Sequence, residues 1–407
     1  MSTASPAPTT TRLKNARVAV GSCFFINAVF YANLVPRLPE VKADLGLSNS
    51  SLGAALAAMP LGAIVAGLSS AALMRRFGSG RVATVGLVLL GAVVWTVSVV
   101  PNWPALAAAM LFAGALDAIV DVAQNAHGLR VQRLYRRSIL NAFHGVWSIG
   151  AVAGGLLGSV AAGLEVPLAL HLGAVAVVFG VVALGGSRAL LTGPDDADRE
   201  PVPEPAHRGA TRGVGPWRAA ALPLVMLGVL AACGAFVEDA GASWSALYLR
   251  TELTAGAAMA GLGFVALQSA MTVGRLTGDR VVDRFGQRRV VQVGGALTAV
   301  GMGQALAFPS IPTTLLGFAL AGLGVATLIP AVYHAADELP GLASGSGLTV
   351  INWLLRIGFL LSPPLIGVLA DATSLRVALL TVVLAGLGAL LLGRVLPTSV
   401  VAPAPAV

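Results

Sequence analysis

Two carboxylates and two amides recur on one side of an apolar stretch that covers residues 104–127. The four polar positions are Asp117, Asp121, Gln124 and Asn125. Offsets of four, seven and eight residues place them on one face of an α-helix. A charge inside a bilayer costs at least about 2.5 kcal/mol, so this face should line a water-filled path. Neighbouring carboxylates disfavour joint ionisation, which predicts proton uptake and release by Asp117 and Asp121.

A second polar stripe opens the next apolar stretch, at Asn141, His144 and Ser148. Histidine titrates near neutral pH, so His144 could share a proton with the preceding helix. Two structural alternatives remain open. His144 could be a satisfied structural side chain, and Asp121 could pair with Arg130 or Arg133 at the end of its helix.

The second half of the chain carries its own acids at membrane depth. Glu238 and Asp239 lie between Gly234 and Gly241. Glycines on both sides suggest a locally broken helix, which is tolerated where the backbone lines a cavity. Glu238 is the preferred coupling carboxylate of this half. Trp244 follows, either to stack on a solute or to join an outer aromatic belt.

One arginine, Arg356, is predicted near mid-membrane. It cannot lose its proton, so we expect it to pair with one of the acids or with an anionic solute. Other polar side chains at similar depth complete a central ring of hydrogen-bonding groups. The predicted solute-binding residues are Asn27, Tyr31, Asn125, Trp244, Gln268, Asn352 and Arg356.

The elements that carry these residues are membrane-spanning helices. Of 407 residues, 56% are hydrophobic and only 11% are charged, whereas a soluble chain carries about 25% charge. Apolar stretches of about twenty residues predict an all-α membrane protein. Twelve of them can be drawn, at 16–36, 50–74, 83–100, 104–127, 139–163, 167–186, 219–249, 255–277, 290–308, 312–334, 346–370 and 374–395.

The chain is internally duplicated. Arg76-Phe77-Gly78 recurs 208 residues later as Arg284-Phe285-Gly286, and Ile149-Gly150 recurs at the same offset as Ile357-Gly358. Basic residues surround both hairpins, and Asp283 precedes the second. Two six-helix bundles around a central site are therefore predicted. The predicted gate residues are Arg76, Gly78, Asp283, Arg284, Gly286 and Arg288.

On these residues the chain resembles the major facilitator superfamily over essentially its whole length. That family has six plus six helices and a Gly-x-x-x-Asp-Arg-x-Gly-Arg-Arg type hairpin after the second and eighth. The second copy here fits at Asp283, Arg284 and Gly286, but Arg75 replaces the acid of the first. Two further strings, Asp121–Ala126 and Trp244–Arg250, resemble bacterial permeases distantly similar to sugar permeases. The resemblance implies a functional monomer, and Asp283 could steady the outward-facing state by meeting helix N-termini.

Charge distribution predicts the topology. The net charge is +8, and with the N-terminus inside, 21 of the 26 Lys and Arg residues fall at cytoplasmic positions. This is the positive-inside pattern rather than a nucleic-acid surface. It predicts a multi-pass protein of the cytoplasmic membrane with both termini cytoplasmic. The predicted parts are a tail at 1–15, a bundle at 16–186, a linker at 187–218, a bundle at 219–395 and a tail at 396–407.

The function predicted from these features is proton-coupled secondary transport of a small organic solute. Gly145, Gly154 and Gly158 resemble part of a glycine motif of drug/proton antiporters, which slightly favours export, although the same glycines also suit helix packing. Likeness to sugar permeases favours the alternative, import of a sugar-like or organic-acid solute by symport. A non-transporting sensor is a third possibility. No metal-ligand spacing, nucleophile elbow or ATP-binding loop occurs, so we predict no enzyme activity and no cofactor.

Overall fold

The computed structural model describes residues 10–135, 138–193, 195, 214–339 and 346–397, without the side chains of residues 214–219. Within these ranges, twelve helical segments are long and apolar enough to cross a membrane. We number them in chain order as spans: Thr10–Asp44, Asn49–Gly67, Ser79–Thr96, Trp103–Tyr135, Leu140–Gly163, Leu168–Ser187, Ala220–Thr251, Ala257–Phe285, Gln287–Ala307, Ile311–Asp337, Ser346–Ala372 and Leu375–Val395. The predicted all-α membrane fold is confirmed. The predicted linker lies mostly outside the described residues, as do residues 1–9 and 398–407 of the predicted tails.

Several spans consist of more than one helix. The first contains Thr10–Leu34, a 3-10 turn at Val35–Arg37 and Leu38–Asp44. The tenth contains Ile311–Val325 and Leu328–Asp337, and the twelfth contains Leu375–Ala378, Leu380–Leu392 and a 3-10 turn at Gly393–Val395. A short helix, Ser70–Phe77, follows the second span. We call the first six spans the N-terminal half and the last six the C-terminal half.

The seventh span is not broken, contrary to the prediction from its glycines. Its helix runs without interruption from Val214 to Thr251. An interior glycine costs a helix about 1 kcal/mol. A freed backbone group inside a membrane costs several kcal/mol, so the helix persists through Gly234 and Gly241.

The two basic hairpins share one backbone geometry. Gly78 has φ 80° and ψ 146°, and Gly286 has φ 81° and ψ 149°. A positive φ of this size favours glycine, because it has no Cβ. In both copies the preceding arginine lies over the adjacent phenylalanine ring, at 5.2 Å for Arg76 and 5.5 Å for Arg284. The duplication seen in the sequence is therefore also a duplication of local structure.

The molecule has two unlike ends. We call the end with Gly78, Gly286 and the described termini the basic end, and the end with Asn49 and Asp371 the far end. At the far end the halves pack closely, the second span against the eleventh and the fifth against the eighth. On the second span, close contacts with the eleventh lie near this end, where Gly53 meets Pro363 and Asn49 meets Gly367. The space between the halves is therefore closed at the far end.

A carboxylate closes one side of the far end. The side chain of Asp371, at the end of the eleventh span, accepts hydrogen bonds from the backbone N–H groups of Asn49 at 2.9 Å and Ser50 at 2.8 Å. These groups begin the second span, where the helix dipole favours a negative charge. The contact joins the two halves.

The duplicated position on the other side of the far end uses direct packing. Asp371 and Ser50 correspond, at the 208-residue offset, to Gly163 and Ala258. A Cβ placed on Gly163 would lie only 2.6 Å from the Cβ of Ala258. The seam between the second and eleventh spans is therefore held by a charged side chain. The equivalent seam between the fifth and eighth spans is held by close packing, which glycine permits.

Replacing Asp371 by alanine should open the far end. The variant loses both hydrogen bonds and the charge–dipole contact, worth about 1–2 kcal/mol, or a five- to thirtyfold shift towards open conformations. The readout is the rate at which a water-soluble maleimide labels Ser159→Cys, in a background with Cys23 and Cys233 replaced by serine. Ser159 is 2% exposed and contacts Gly261 across the fifth–eighth span seam.

The matched control is Asp44→Ala, which removes an exposed acid from the same end. Labelling should rise in the Asp371 variant and stay at the parent rate in the control. Equal rates in all three proteins would show that Asp371 does not hold the halves together.

Candidate solute and proton site

A cavity of about 320 Å³ lies between the two halves. Its walls come from the first, second, fourth, fifth, seventh, eighth and eleventh spans. Aromatic side chains line it at Tyr31, Trp147, Phe264 and Phe359. Several residues predicted from the sequence meet here: Asn27, Tyr31, Asp117, Glu238, Asp239, Gln268 and Arg356.

Asn27 connects three spans of the N-terminal half. Its Nδ2 donates to Oδ1 of Asp117 at 2.7 Å, and its Oδ1 accepts from Nε1 of Trp147 at 2.9 Å. An indole nitrogen only donates, so the amide oxygen must face Trp147 and the amide nitrogen must face Asp117. The first span thereby fixes the carboxylate of the fourth and the indole of the fifth.

Asp121 lies one helical turn nearer the basic end and is exposed. Asn125 Nδ2 donates to its Oδ1 at 2.9 Å, and Gln124 Nε2 lies at 3.4 Å from the same oxygen. Arg130 and Arg133 instead contact the start of the linker, at residues 192–195. The alternative that Asp121 pairs with one of these arginines is wrong in this structure.

Glu238 pairs with Arg275, a residue of the eighth span. Arg275 NH2 lies 3.3 Å from Oε2 of Glu238 and 3.4 Å from its Oε1. The eighth span reaches Phe285, so Arg275 belongs to the span and not to the hairpin. Its spacing from Gln268 and Thr272 could have identified it, because offsets of seven and three residues place all three on one helical face.

Arg356 lines the cavity but is not in an ion pair with any acid of the described residues. The expected pairing with Asp117, Asp121, Glu238 or Asp239 is therefore wrong in this conformation. The physical reason is that Arg356 faces an open cavity and is half-buried rather than enclosed in protein. The guanidinium is left available to a ligand.

Two buried polar atoms on the cavity wall have no hydrogen-bond partner among the described residues. They are Nε2 of Gln268, a donor, and Oδ2 of Asp239, an acceptor. An unpaired buried polar group costs about 1–3 kcal/mol. Tyr31 lies beside Asp239 and Ser243, on the opposite half. Polar residues therefore line the cavity from both halves, Gln268 and Asp239 from the C-terminal half and Tyr31 from the N-terminal half.

Other predicted residues lie elsewhere. Trp244 is fully buried in an apolar core cluster and is not among the residues that line the cavity. Asn125, His144 and Asn352 are nearer the basic end than the cavity lining. His144 is exposed and meets the edge of Phe24, with 5.3 Å between the ring centroids. In the part of the chain that the structure describes, no three His, Cys, Asp or Glu side chains group as metal ligands.

The hairpin residues are not equivalent in their contacts. Arg288 donates from Nε to the carbonyl oxygen of Leu396 at 2.7 Å, within the C-terminal half. Asp283 is exposed and makes no hydrogen bond or ion pair with any described residue. The separation of the halves at the basic end leaves it without the helix N-terminus that the sequence interpretation proposed.

Comparison with known proteins agrees with this architecture. The family model of the Major Facilitator Superfamily matches residues 20–251 and 229–406. An uncharacterized MFS-type transporter of Yersinia pestis is 30% identical over 368 residues, covering 89% of this chain and 91% of that protein. Membrane protein MosC of Rhizobium meliloti is 30% identical over 376 residues, covering 90% and 87%.

A solved structure has the same fold. It is a bacterial homolog to the human lysosomal transporter Spinster, in an inward-facing and unoccupied conformation, with a TM-score of 0.76 and 14% identity over 96% of this chain and 98% of that one. The chain belongs to the major facilitator superfamily. It is a multi-pass membrane transporter for small molecules and not an enzyme.

Asn27→Ala should destabilise the N-terminal half. The substitution leaves the Asp117 carboxylate and the Trp147 indole without their shared partner, at a cost of about 1–3 kcal/mol. We expect a clearly lower thermal midpoint in differential scanning fluorimetry of the purified protein.

Asn125→Ala is the matched control, because its amide bonds only within its own helix. Its midpoint should fall by less than half as much. An equal fall in the two variants would contradict the bridging role of Asn27.

Proposed function

We propose that this transporter couples the movement of a small polar organic solute to protons, with Asp117 as the principal proton carrier. The observation that carries the proposal is the environment of Asp117. It lines the cavity, and its hydrogen bond to a side chain comes from an uncharged amide, at 2.7 Å. A carboxylate without a cationic partner can gain and lose a proton without breaking an ion pair.

The other acids support this choice. Glu238 already has a cationic partner in Arg275, so its charge is balanced within the C-terminal half. Asp121 lies nearer the basic end, where it can relay protons to Asp117, with His144 as a second exposed group on the same side. Asp239 is the acid of the solute-binding wall. The proton role predicted for Glu238 thus passes to Asp117.

The solute should both donate and accept hydrogen bonds. Gln268 and Asp239 line the cavity and each has a buried polar atom without a partner among the described residues, Arg356 is a cation outside any ion pair of these residues, and Tyr31 and Trp147 offer apolar faces. Asn27 is committed to Asp117 and Trp147, so its role is to hold the site rather than to bind solute directly. A compact solute with several polar groups satisfies these requirements.

The positive-inside pattern places the basic end in the cytoplasm and both termini inside. The cavity then faces the cytoplasm, and one chain contains the whole site, so a monomer suffices. Export by exchange with protons remains the slightly preferred direction, and import by symport is the alternative. Gly154 and Gly158 pack against the first span, at Val29, Ala32, Asn33 and Pro36. Because helix packing accounts for these glycines, they do not decide the direction of transport, which must be measured.

Asp117→Asn should separate solute binding from proton coupling. The amide keeps the shape of the side chain but cannot release a proton. In proteoliposomes, with a solute selected by thermal shift from sugars, amino acids, organic acids and drugs, counterflow should persist. Accumulation driven by an imposed pH gradient should fall at least tenfold.

Asp121→Asn is the matched comparison: because exposed His144 lies on the same side and can also pass protons towards Asp117, this variant should retain most of the pH-driven accumulation. If the Asp117 variant still accumulates solute while the Asp121 or a Glu238→Gln variant does not, the proton carrier has been misassigned. If wild-type protein moves solute without any response to pH, coupling to protons is refuted.

Gln268→Leu should weaken solute binding without weakening the fold. Losing one uncharged hydrogen bond to the solute costs about 0.5–1.5 kcal/mol, or about two- to thirteenfold in dissociation constant. Removing an unpaired buried amide should leave the thermal midpoint equal or higher.

Gln304→Leu, an exposed glutamine of the ninth span, is the control and should bind normally. A lower midpoint with unchanged binding would identify Gln268 as a helix-contact residue instead.

A further inference from the structure

The N-terminal half carries a second cavity, on its outer surface and away from the solute site. It is a groove of about 820 Å³ between the first, fifth and sixth spans. Val18 of its floor is 69% exposed and Val182 of its rim is 46% exposed. At this depth of a span, exposed apolar side chains contact lipid, so the groove opens to the bilayer.

The groove exists because small residues lie between large ones. Gly21 and Ala142 form its shallow part, and Phe25, Phe143 and Phe179 form its sides. These rings are held in place by each other and by the core. Phe25 and Phe179 lie 6.2 Å apart, and Phe143 stacks on Phe24 at 5.4 Å, measured between ring centroids. The groove is thus a rigid apolar channel.

The mouth of the groove, at the basic end, is cationic. Lys14, Arg17 and Tyr135 line it, and the guanidinium of Arg17 lies 5.5 Å from the centre of the Tyr135 ring. Among the residues that the structure describes, no Asp or Glu lines the groove. Neither Lys14 nor Arg17 forms an ion pair with a described residue. Two positive charges therefore stand at one end of an apolar channel without an ion-pair partner among the described residues.

We propose that this groove binds one anionic phospholipid. The phosphodiester contacts Lys14 and Arg17, and an acyl chain lies along Val18, Phe25 and Phe179. Charge complementarity selects an anionic headgroup, since basic pockets between spans on the cytoplasmic side attract such lipids. The apolar lining selects a lipid over a free phosphate.

The groove is separate from the solute cavity. Val18, Ser22 and Phe25 follow each other at offsets of four and three residues on one face of the first span, whereas Asn27 and Tyr31 face the cavity. All groove residues belong to the N-terminal half. When the halves rock against each other, the groove residues keep their relative positions. The lipid should therefore stay bound in both conformations and should stabilise the N-terminal half.

The test is lipid-dependent thermal stability of the full-length protein in mild detergent. Phosphatidylglycerol should raise the midpoint at a concentration at least tenfold lower than phosphatidylcholine with the same acyl chains. In K14Q/R17Q this preference should disappear. In the control R75Q/R81Q, which removes two exposed charges of the same half and end, it should persist.

Further arms distinguish the parts of the site. Gly21→Leu fills the groove, and it should fold because a Cβ there meets Phe143 only at 3.9 Å, an ordinary contact. It should weaken the response to phosphatidylglycerol. Inorganic phosphate alone should not shift the midpoint. Equal responses to the two lipids, loss of preference in both charge variants, an unchanged Gly21→Leu response or a full effect of phosphate would each overturn the proposal.

Discussion

The seam between the two halves is the constraint on which the rest of the structure depends. Helices in lipid gain little from burying apolar surface against each other, so close approach and polar contacts hold them. At the far end these are the Asp371 carboxylate on the start of the second span and the contact of Gly163 with Ala258. Both occur at duplicated positions. Because rigid halves that touch at one end diverge at the other, the cavity and its exposed acids follow from this closure.

The two halves share the backbone features inherited from the duplication, whereas the polar residues of the cavity differ between them. Gly78 and Gly286 keep the same backbone angles, and Arg76 and Arg284 keep the same ring contact. The fourth span has Asp117 and Asp121 where the tenth has Val325 and Ile329 at the 208-residue offset. The polar network is accordingly divided. Asn27, Asp117 and Trp147 belong to one half, and Glu238 and Arg275 belong to the other.

The fold could be predicted from the sequence because its signals are local. Apolar length defines a span, and repeated hairpins define the halves. The positions of Asn27, Asp117 and Gln268 on the cavity also follow from helical periodicity. The Glu238–Arg275 pair could not be predicted, because the pairing depends on how two helices rotate against each other. The prediction that Trp244 lines the cavity was wrong, because an aromatic residue suits a cavity wall and a packed core equally. The absence of an ion pair at Arg356 depends on its position beside an open cavity, which spacing does not reveal.

Because the polar contacts around the cavity are divided between the two halves, a bound solute can connect the halves. The ion pair and the short hydrogen bonds around the cavity lie within one half or the other. Tyr31 approaches the opposite half, beside Asp239 and Ser243. A solute held between Gln268, Asp239 and Arg356 on one side and Tyr31 and Trp147 on the other would bridge the halves. Opening the far end sacrifices the Asp371 contact, of about 1–2 kcal/mol. A ligand shifts a conformational equilibrium only by its difference in binding free energy for the two states. To open the far end, this difference must exceed the free energy of the Asp371 contact.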